Sequence, residues 1–265
     1  MLVSSKAGRW AAWLLFAVLF LPVYGIPFAV LGLASLAKTW DGAIPHSYTA
    51  AHYASGLAGD SRGSLLVSLI TGVLASLIAL LIGGWAAIAA QRLRRRARRA
   101  VSAVFLAPVA VPSVVIGLSA LIAFGRPPLL LSGLPAIVVV VHVVIVTAFA
   151  YQNISAALTR LDPAYSQVAA SLGGSPGYVL RRITLPLLTP ALAASAALCF
   201  ALSMGELGAT IMVYPPSWAT LPVWIFGLSD RGQVFDAAAM TVLLLAATIA
   251  VLFGLSRVRT RASYR

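Results

Sequence analysis

The chain has 265 residues, 61% hydrophobic and 9% charged, with a formal net charge of +13 and a mean hydropathy of +0.97. A soluble domain carries about 25% charged residues, and a water-soluble core of this size could not hide so much apolar surface. Those figures exclude a soluble fold and predict an integral membrane protein. The basic excess clusters at the ends of apolar runs, a topology signal facing anionic membrane lipid, and this placement sets nucleic acid aside as a partner. Cys199 is the sole cysteine, so no intrachain disulfide is possible.

A span needs about 20 apolar residues, and six stretches meet that need: about 10–36, 64–90, 100–124, 134–152, 189–213 and 236–256. The first follows Lys6 and Arg9 like a secretory signal. Its apolar run exceeds the roughly 7–15 residues of a signal core and has no small-x-small cleavage site, so it reads as an uncleaved span bent at Pro22 and Pro27. The 38–63 segment that follows has polar residues enough to touch a docked protein, and whether it is an ordered helix stays open. Fifteen of the nineteen Lys and Arg residues fall on one side of the six spans: Lys6, Arg9, six in "QRLRRRARRA", Arg160, Arg181, Arg182, Arg257, Arg259, Arg261 and Arg265. Only Lys38, Arg62, Arg126 and Arg231 fall on the other, which predicts cytoplasmic N- and C-termini and makes the arginine loop a cytoplasmic anchor. The expectation is one transmembrane domain over 1–265, all-α, with six transmembrane helices.

The loop over 160–186, between the fourth and fifth spans, breaks this pattern. Asp162-Pro163 is a helix start, a side-chain cap followed by a ring pre-set to helical φ. Ala164, Val168 and Leu172 recur every four residues, Gly173 supplies a stop, Ser175-Pro176 repeats the start, and Leu185-Pro186 marks re-entry to the membrane. Two short helices joined by a tight turn are predicted to project into water. A plain connector needs only about two to six residues, so a segment this long favours a partner that grips it.

The chain lacks G-x-x-x-x-G-K-[ST], and its lysines are Lys6 and Lys38, so it offers no phosphate-loop lysine for ATP hydrolysis. No metal cluster or nucleophile–base pair stands out, and no cofactor is expected in this chain. His46 and His52 sit in the outer segment, and His142 reads as a histidine satisfied inside the bundle rather than as a ligand. Glu206 is the sole glutamate and falls inside the predicted fifth span, flanked by Gly205 and Gly208. A charge in hydrocarbon must face the bundle interior, a polar cavity or a cation. Two readings stand: a packing glutamate satisfied by amides or by Arg126 or Arg231, and a residue lining or gating a passage.

The loop resembles the cytoplasmic signature of permease subunits of bacterial type I ABC importers: E-A-A, three residues, G, nine residues, I-x-L-P. Gln167, Val168 and Ala169 stand at E-A-A, with Gly173, Ile183, Leu185 and Pro186 at the matching spacing. The resemblance implies a type I ABC importer permease core whose coupling helix-turn-helix docks on a separate ATPase subunit. The contact set would be Gln167, Ala169, Ala170, Gly173, Ser175, Arg181, Arg182, Ile183, Leu185 and Pro186. It further implies an ATPase pair holding ATP and Mg, a second permease chain of the same or a related kind, and an extracytoplasmic solute-binding protein. The location implied is the bacterial inner membrane, crossed several times.

"GELGAT" over 205–210, with Thr220, Leu221 and Pro222 beyond it, resembles the subgroup that imports molybdate, sulfate, ferric iron and aminoethylphosphonate. Its implied passage or gate is Ser203, Gly205, Glu206, Gly208 and Thr210. Tyr214-Pro215-Pro216 and Asp230-Arg231-Gly232 look closest to 2-aminoethylphosphonate permeases, with molybdate- or sulfate-type oxyanions and ferric iron as alternative solutes. A stand-alone secondary transporter or channel is the second class considered, and it would need more intramembrane ion ligands than Glu206. A membrane enzyme is the third, and paired catalytic groups are missing.

Overall fold

Long apolar runs become helices because a backbone in hydrocarbon must satisfy its own N–H and C=O groups. The computed structural model describes residues 5–257; Arg259, Arg261 and Arg265 of the predicted cytoplasmic tail lie outside them. The chain divides into two compact units, Met1–Arg62 with Ile225–Leu245, and Gly63–Trp224 with Ala246–Arg265.

In the first unit, α1 (Lys6–Phe20) and α2 (Ile26–Leu36) are joined by a π-helical turn, Leu21–Gly25. Pro22 lies in that turn and Pro27 in the first turn of α2, so the prolines expected to bend the span sit in and just beyond a widened turn. A small antiparallel hairpin follows, β1 (Ala37–Thr39) with β2 (Ser47–Tyr48), and then α3 (Ala51–Gly56). This hairpin corrects the all-α expectation and resolves the 38–63 segment; strands of three and two residues are too short to show a periodicity. The His52 ring lies between Asp236 Oδ1, at 2.8 Å, and the Ala37 carbonyl, at 3.0 Å. His52 is therefore not the isolated histidine its sequence neighbours suggest.

In the second unit, α4 (Gly59–Ala90, its first residues belonging to the other unit) buries small side chains at Ser68, Thr71, Gly72, Ala75, Ser76 and Ala79. Small residues let helix backbones approach. A Cβ on Gly83 would stand 2.9 Å from the Tyr151 amide nitrogen and 3.0 Å from the Thr147 carbonyl oxygen, which places α4 directly on α7 (Pro135–Arg160). The helix α7 runs eight residues beyond the predicted end at 152, through "NISAALTR", in which Ala156, Ala157, Leu158 and Arg160 are strong helix formers.

The predicted span 100–124 is not one continuous helix. It is two helices, α5 (Arg95–Ala110) and α6 (Ser113–Ala123), bent by 104°. The residue before a proline is pushed out of the helical region; Val111, before Pro112, is extended at φ −102°, ψ 130°. Among the described residues, five helices are long and apolar enough to span, six if the bent pair counts as one.

The fifth span is corrected at both ends. α8 (Ala164–Ser171) is a separate short helix, but α9 (Pro176–Val179) continues through a π-helical turn, Leu180–Thr184, into α10 (Leu185–Met204). Leu185-Pro186 thus does not interrupt the helical run, and the second of the two expected short helices is the foot of a long one. Helix α10 stops at Met204, and only α11 (Thr210–Val213) resumes before the 3₁₀ turn Pro216–Trp218. Helices α12 (Leu221–Asp230) and α13 (Val234–Ser256) complete the described chain.

Candidate functional site

Two places gather the predicted residues. At the first, α8 ends in a paired hydrogen-bond turn: Gly173 N–H donates to Ala170 O at 3.0 Å, and Gly174 N–H to Ala169 O at 2.9 Å. That pattern needs a left-handed residue after the cap, and Gly173 has φ +82°. Gly174, which the sequence motif does not single out, is equally constrained, since a Cβ there would lie 2.7 Å from Ala169 O. The starts are built as predicted, with Asp162 Oδ1 accepting from Ala164 N–H at 2.9 Å and Ser175 Oγ from Tyr178 N–H at 3.3 Å.

The turn leaves apolar surface in the open. Leu172 is 83% exposed, and Tyr165, Val168 and Tyr178 are exposed beside it. A groove of about 640 Å³ runs between them, lined also by Ala169, Gly173, Gly174, Ser175 and Ile183. The nine-residue spacing from Gly173 to Ile183 now has a physical meaning: it returns the chain along the foot of α10 until Ile183 forms the opposite wall. Of the predicted contact set, Ala169, Gly173, Ser175 and Ile183 line this groove. Gln167 and Ala170 are exposed on α8, Arg181 and Arg182 are exposed in the π-helical turn, and Leu185 and Pro186 begin α10 outside the groove.

At the second place, the helix break at 205–209 sits where a continuous fifth span was expected, so Glu206 is corrected from a helix position to a non-helical one. Its Oε1 accepts from Ala209 N–H at 2.7 Å, closing the turn into α11. Thr210 hydroxyl donates to Glu206 O at 3.4 Å. His142, buried on α7, bridges the break, with Nδ1 2.6 Å from Ser203 Oγ and Nε2 2.8 Å from Thr210 Oγ1. A buried imidazole carrying two hydroxyl partners is satisfied, as the sequence reading expects for His142. Its task of tying α10 to α11 was not visible there. Ser203, Gly205, Glu206, Gly208 and Thr210 are thus brought together, with Ser203 and Thr210 buried and Glu206 half-buried. The Oε2 atom of Glu206 makes no hydrogen bond among the described residues.

The break is held by close contact. A Cβ on Gly117 of α6 would stand 2.5 Å from Ala209 O and 2.8 Å from Ala209 Cα, and one on Gly208 would collide with Ser113 Oγ. Beyond α11, Trp218 Nε1 donates to Thr71 Oγ1 at 3.0 Å and Leu221 N–H to Ser68 Oγ at 2.7 Å, seating the following loop on α4. The only sequence signal for Ser68 and Thr71 is their place in the small-residue stripe of α4. Gly117→Ala is expected to cost about 1–3 kcal/mol, because the atoms in its way are backbone. Gly205→Ala, with ordinary φ and only Ala201 O at 3.8 Å, is expected to be neutral or stabilising by up to about 1 kcal/mol. Thermal unfolding of the purified full-length variants checks both.

The fold, mostly helical with five or six candidate spans among the described residues, is that of a type I ABC permease. Residues 79–261 match the family of binding-protein-dependent transport system inner membrane components, and the chain belongs to it. It is therefore a multi-pass inner-membrane permease subunit of an ABC importer, a family of non-catalytic membrane subunits. Among its relatives is PhnV of Salmonella paratyphi A, named as the permease of a 2-aminoethylphosphonate transport system: 44% identical over 261 residues, 98% of each chain. The molybdenum transport permease ModB of Mycobacterium bovis is 31% identical over 74% of this chain and 78% of its own. The fold is shared with a bacterial alginate ABC transporter solved with a pentasaccharide-bound periplasmic protein, at a TM-score of 0.73 and 18% identity over 96% of this chain and 95% of that one.

Proposed function

We propose that this permease forms half of a passage for 2-aminoethylphosphonate and takes its motion from an ATPase subunit seated on the loop at 160–186. The observation that carries the solute assignment is the 44% identity to PhnV along nearly the whole of both chains. The half-buried Glu206, with Oε1 committed to the backbone and Oε2 uncommitted, suits the ammonium end of such a zwitterion and would repel a bare oxyanion. The passage set is Ser203, Gly205, Glu206, Gly208 and Thr210, with His142 holding it in register.

The exposed groove around Leu172 and Ile183 supports docking, since an apolar patch on a water-facing knob marks an interaction site. ATP and Mg would sit on the ATPase pair, and closure of that pair would switch two packed permease chains between alternative interfaces. The second permease chain, a copy or a relative, and an extracytoplasmic binding protein complete the assembly. On this reading both termini of the chain face the cytoplasm. The 31% identity to ModB favours molybdate as the second reading.

Reconstitution tests it directly. The full-length chain is placed in liposomes with its co-purifying ATPase and binding protein, and uptake of labelled 2-aminoethylphosphonate and molybdate is compared. ATP-dependent uptake of the phosphonate alone is expected. Uptake of molybdate alone would reassign the solute. Transport without any ATPase would make the chain a secondary transporter.

A further inference from the structure

The chain reversal between α4 and α5 carries six arginines, Arg92, Arg94, Arg95, Arg96, Arg98 and Arg99, and the fold treats them unequally. Arg98 is half-buried and donates from Nη2 to Gln91 O at 3.3 Å, covering the carboxyl end of α4 where a cation is favoured. The other five are exposed, and none has a carboxylate within ion-pair distance among the described residues. Their placement is electrostatically adverse. Arg95 and Arg99 stand one helical turn apart, and the first turn of α5 puts like charge on the positive end of a helix with no acidic residue. The position before α5 is Arg94, whose side chain offers the free amides no acceptor. Beneath them two buried donor atoms, Gln91 Nε2 and Arg98 Nε, have no hydrogen-bond partner among the described residues and add to the positive character of this corner without reaching its surface.

Every one of these groups donates, and none accepts. A tetrahedral anion suits them: guanidinium forks and free helix amides both bind phosphate oxygens. The depth selects the anion. Helix α5 turns apolar at Val101, and Val104, 71% exposed, lies roughly 14 Å along the axis from Arg95. In a chain that crosses the membrane, arginines followed along one helix by an exposed apolar strip suit the level of the lipid headgroups. We propose that Arg92, Arg94, Arg95, Arg96 and Arg99 form a binding site for the phosphate of an anionic glycerophospholipid, which neutralises the start of α5 and holds the α4–α5 reversal at the membrane surface. This holds whichever solute is carried.

Native mass spectrometry of the full-length chain in mild detergent, titrated with phosphatidylglycerol or phosphatidylcholine, reads the site. Selective phosphatidylglycerol adducts are expected, and Arg95→Gln/Arg96→Gln/Arg99→Gln, which leaves Arg98 in place, should weaken them about 100-fold. Because that variant also alters the topology signal, Arg95→Lys/Arg96→Lys/Arg99→Lys is made beside it; it keeps the charge and should keep the preference. For the unaltered chain, raising ionic strength from about 0.05 M to about 0.5 M should loosen phosphatidylglycerol and not phosphatidylcholine. Equal binding of the two lipids, or unchanged phosphatidylglycerol binding by the Gln variant, overturns the proposal. Displacement of the lipid by inorganic phosphate would mean a free-anion site instead. Loss of the ATPase subunit from the Gln variant with lipid binding intact would mean an acidic protein surface.

Discussion

Gly173→Trp is expected to abolish ATP-driven uptake while the chain still inserts in the membrane at its normal level. The residue is exposed, φ is +82°, and nothing lies within 4 Å of a Cβ built there, so the fold does not exclude a larger side chain by collision. A side chain in the left-handed region costs about 1–2 kcal/mol, borne by a short helix remote from the buried helix contacts. The indole would, however, fill the groove between Leu172 and Ile183, the place assigned to the ATPase. Blocking a central apolar anchor costs an interface about 2–4 kcal/mol, which weakens ATPase association roughly 30- to 1,000-fold. Gly173→Ala carries the same backbone cost without the bulk and should keep most of the uptake. Both quantities are read from one preparation: ATPase retained on the tagged full-length chain, and solute taken up by proteoliposomes. Normal uptake by the Trp variant would remove the docking role from this loop.

Much of the spanning pattern was legible because length and hydropathy are local properties. The helix expected at 64–90 is α4, and that expected at 236–256 is α13, each within a few residues. The misreadings share one cause. A run of apolar residues says that backbone is buried in hydrocarbon and says little about where the helix breaks. Pro112 was available to mark the bend between α5 and α6, and the apolar run concealed it. The stop at Met204 has no proline at all; it depends on Glu206 closing a turn onto Ala209 and on His142 bridging Ser203 and Thr210, across 61 and 68 residues. The two His142 pairings exist only once α7 and α10 are packed. The turn at Gly173 behaves oppositely. Its caps and its glycines are neighbours in sequence, so its local form could be anticipated, though the continuation of the second helix into α10 could not.

Glu206→Gln is expected to lower uptake of 2-aminoethylphosphonate about 10- to 100-fold, the loss that follows removal of a charge-assisted hydrogen bond. The substitution is informative because the carboxylate has two duties that the amide separates. Oε1 accepts from Ala209 N–H and shapes the turn into α11; the amide oxygen of Gln can do the same. Only the negative charge, which the proposed function sets beside the passage, is lost. An alkylphosphonate without an ammonium group should then be carried as before, while the aminoalkylphosphonate is not. Glu206→Ala removes both duties and should also destabilise the break by about 0.5–2 kcal/mol, the usual cost of losing a cap of this kind. Thermal unfolding of the two variants, set against uptake of the two phosphonates, distinguishes the roles. If Gln slows both solutes equally, Glu206 serves the turn alone. If Gln changes neither solute, the carboxylate does not face the solute, and the assignment of an aminophosphonate from its charge falls with it.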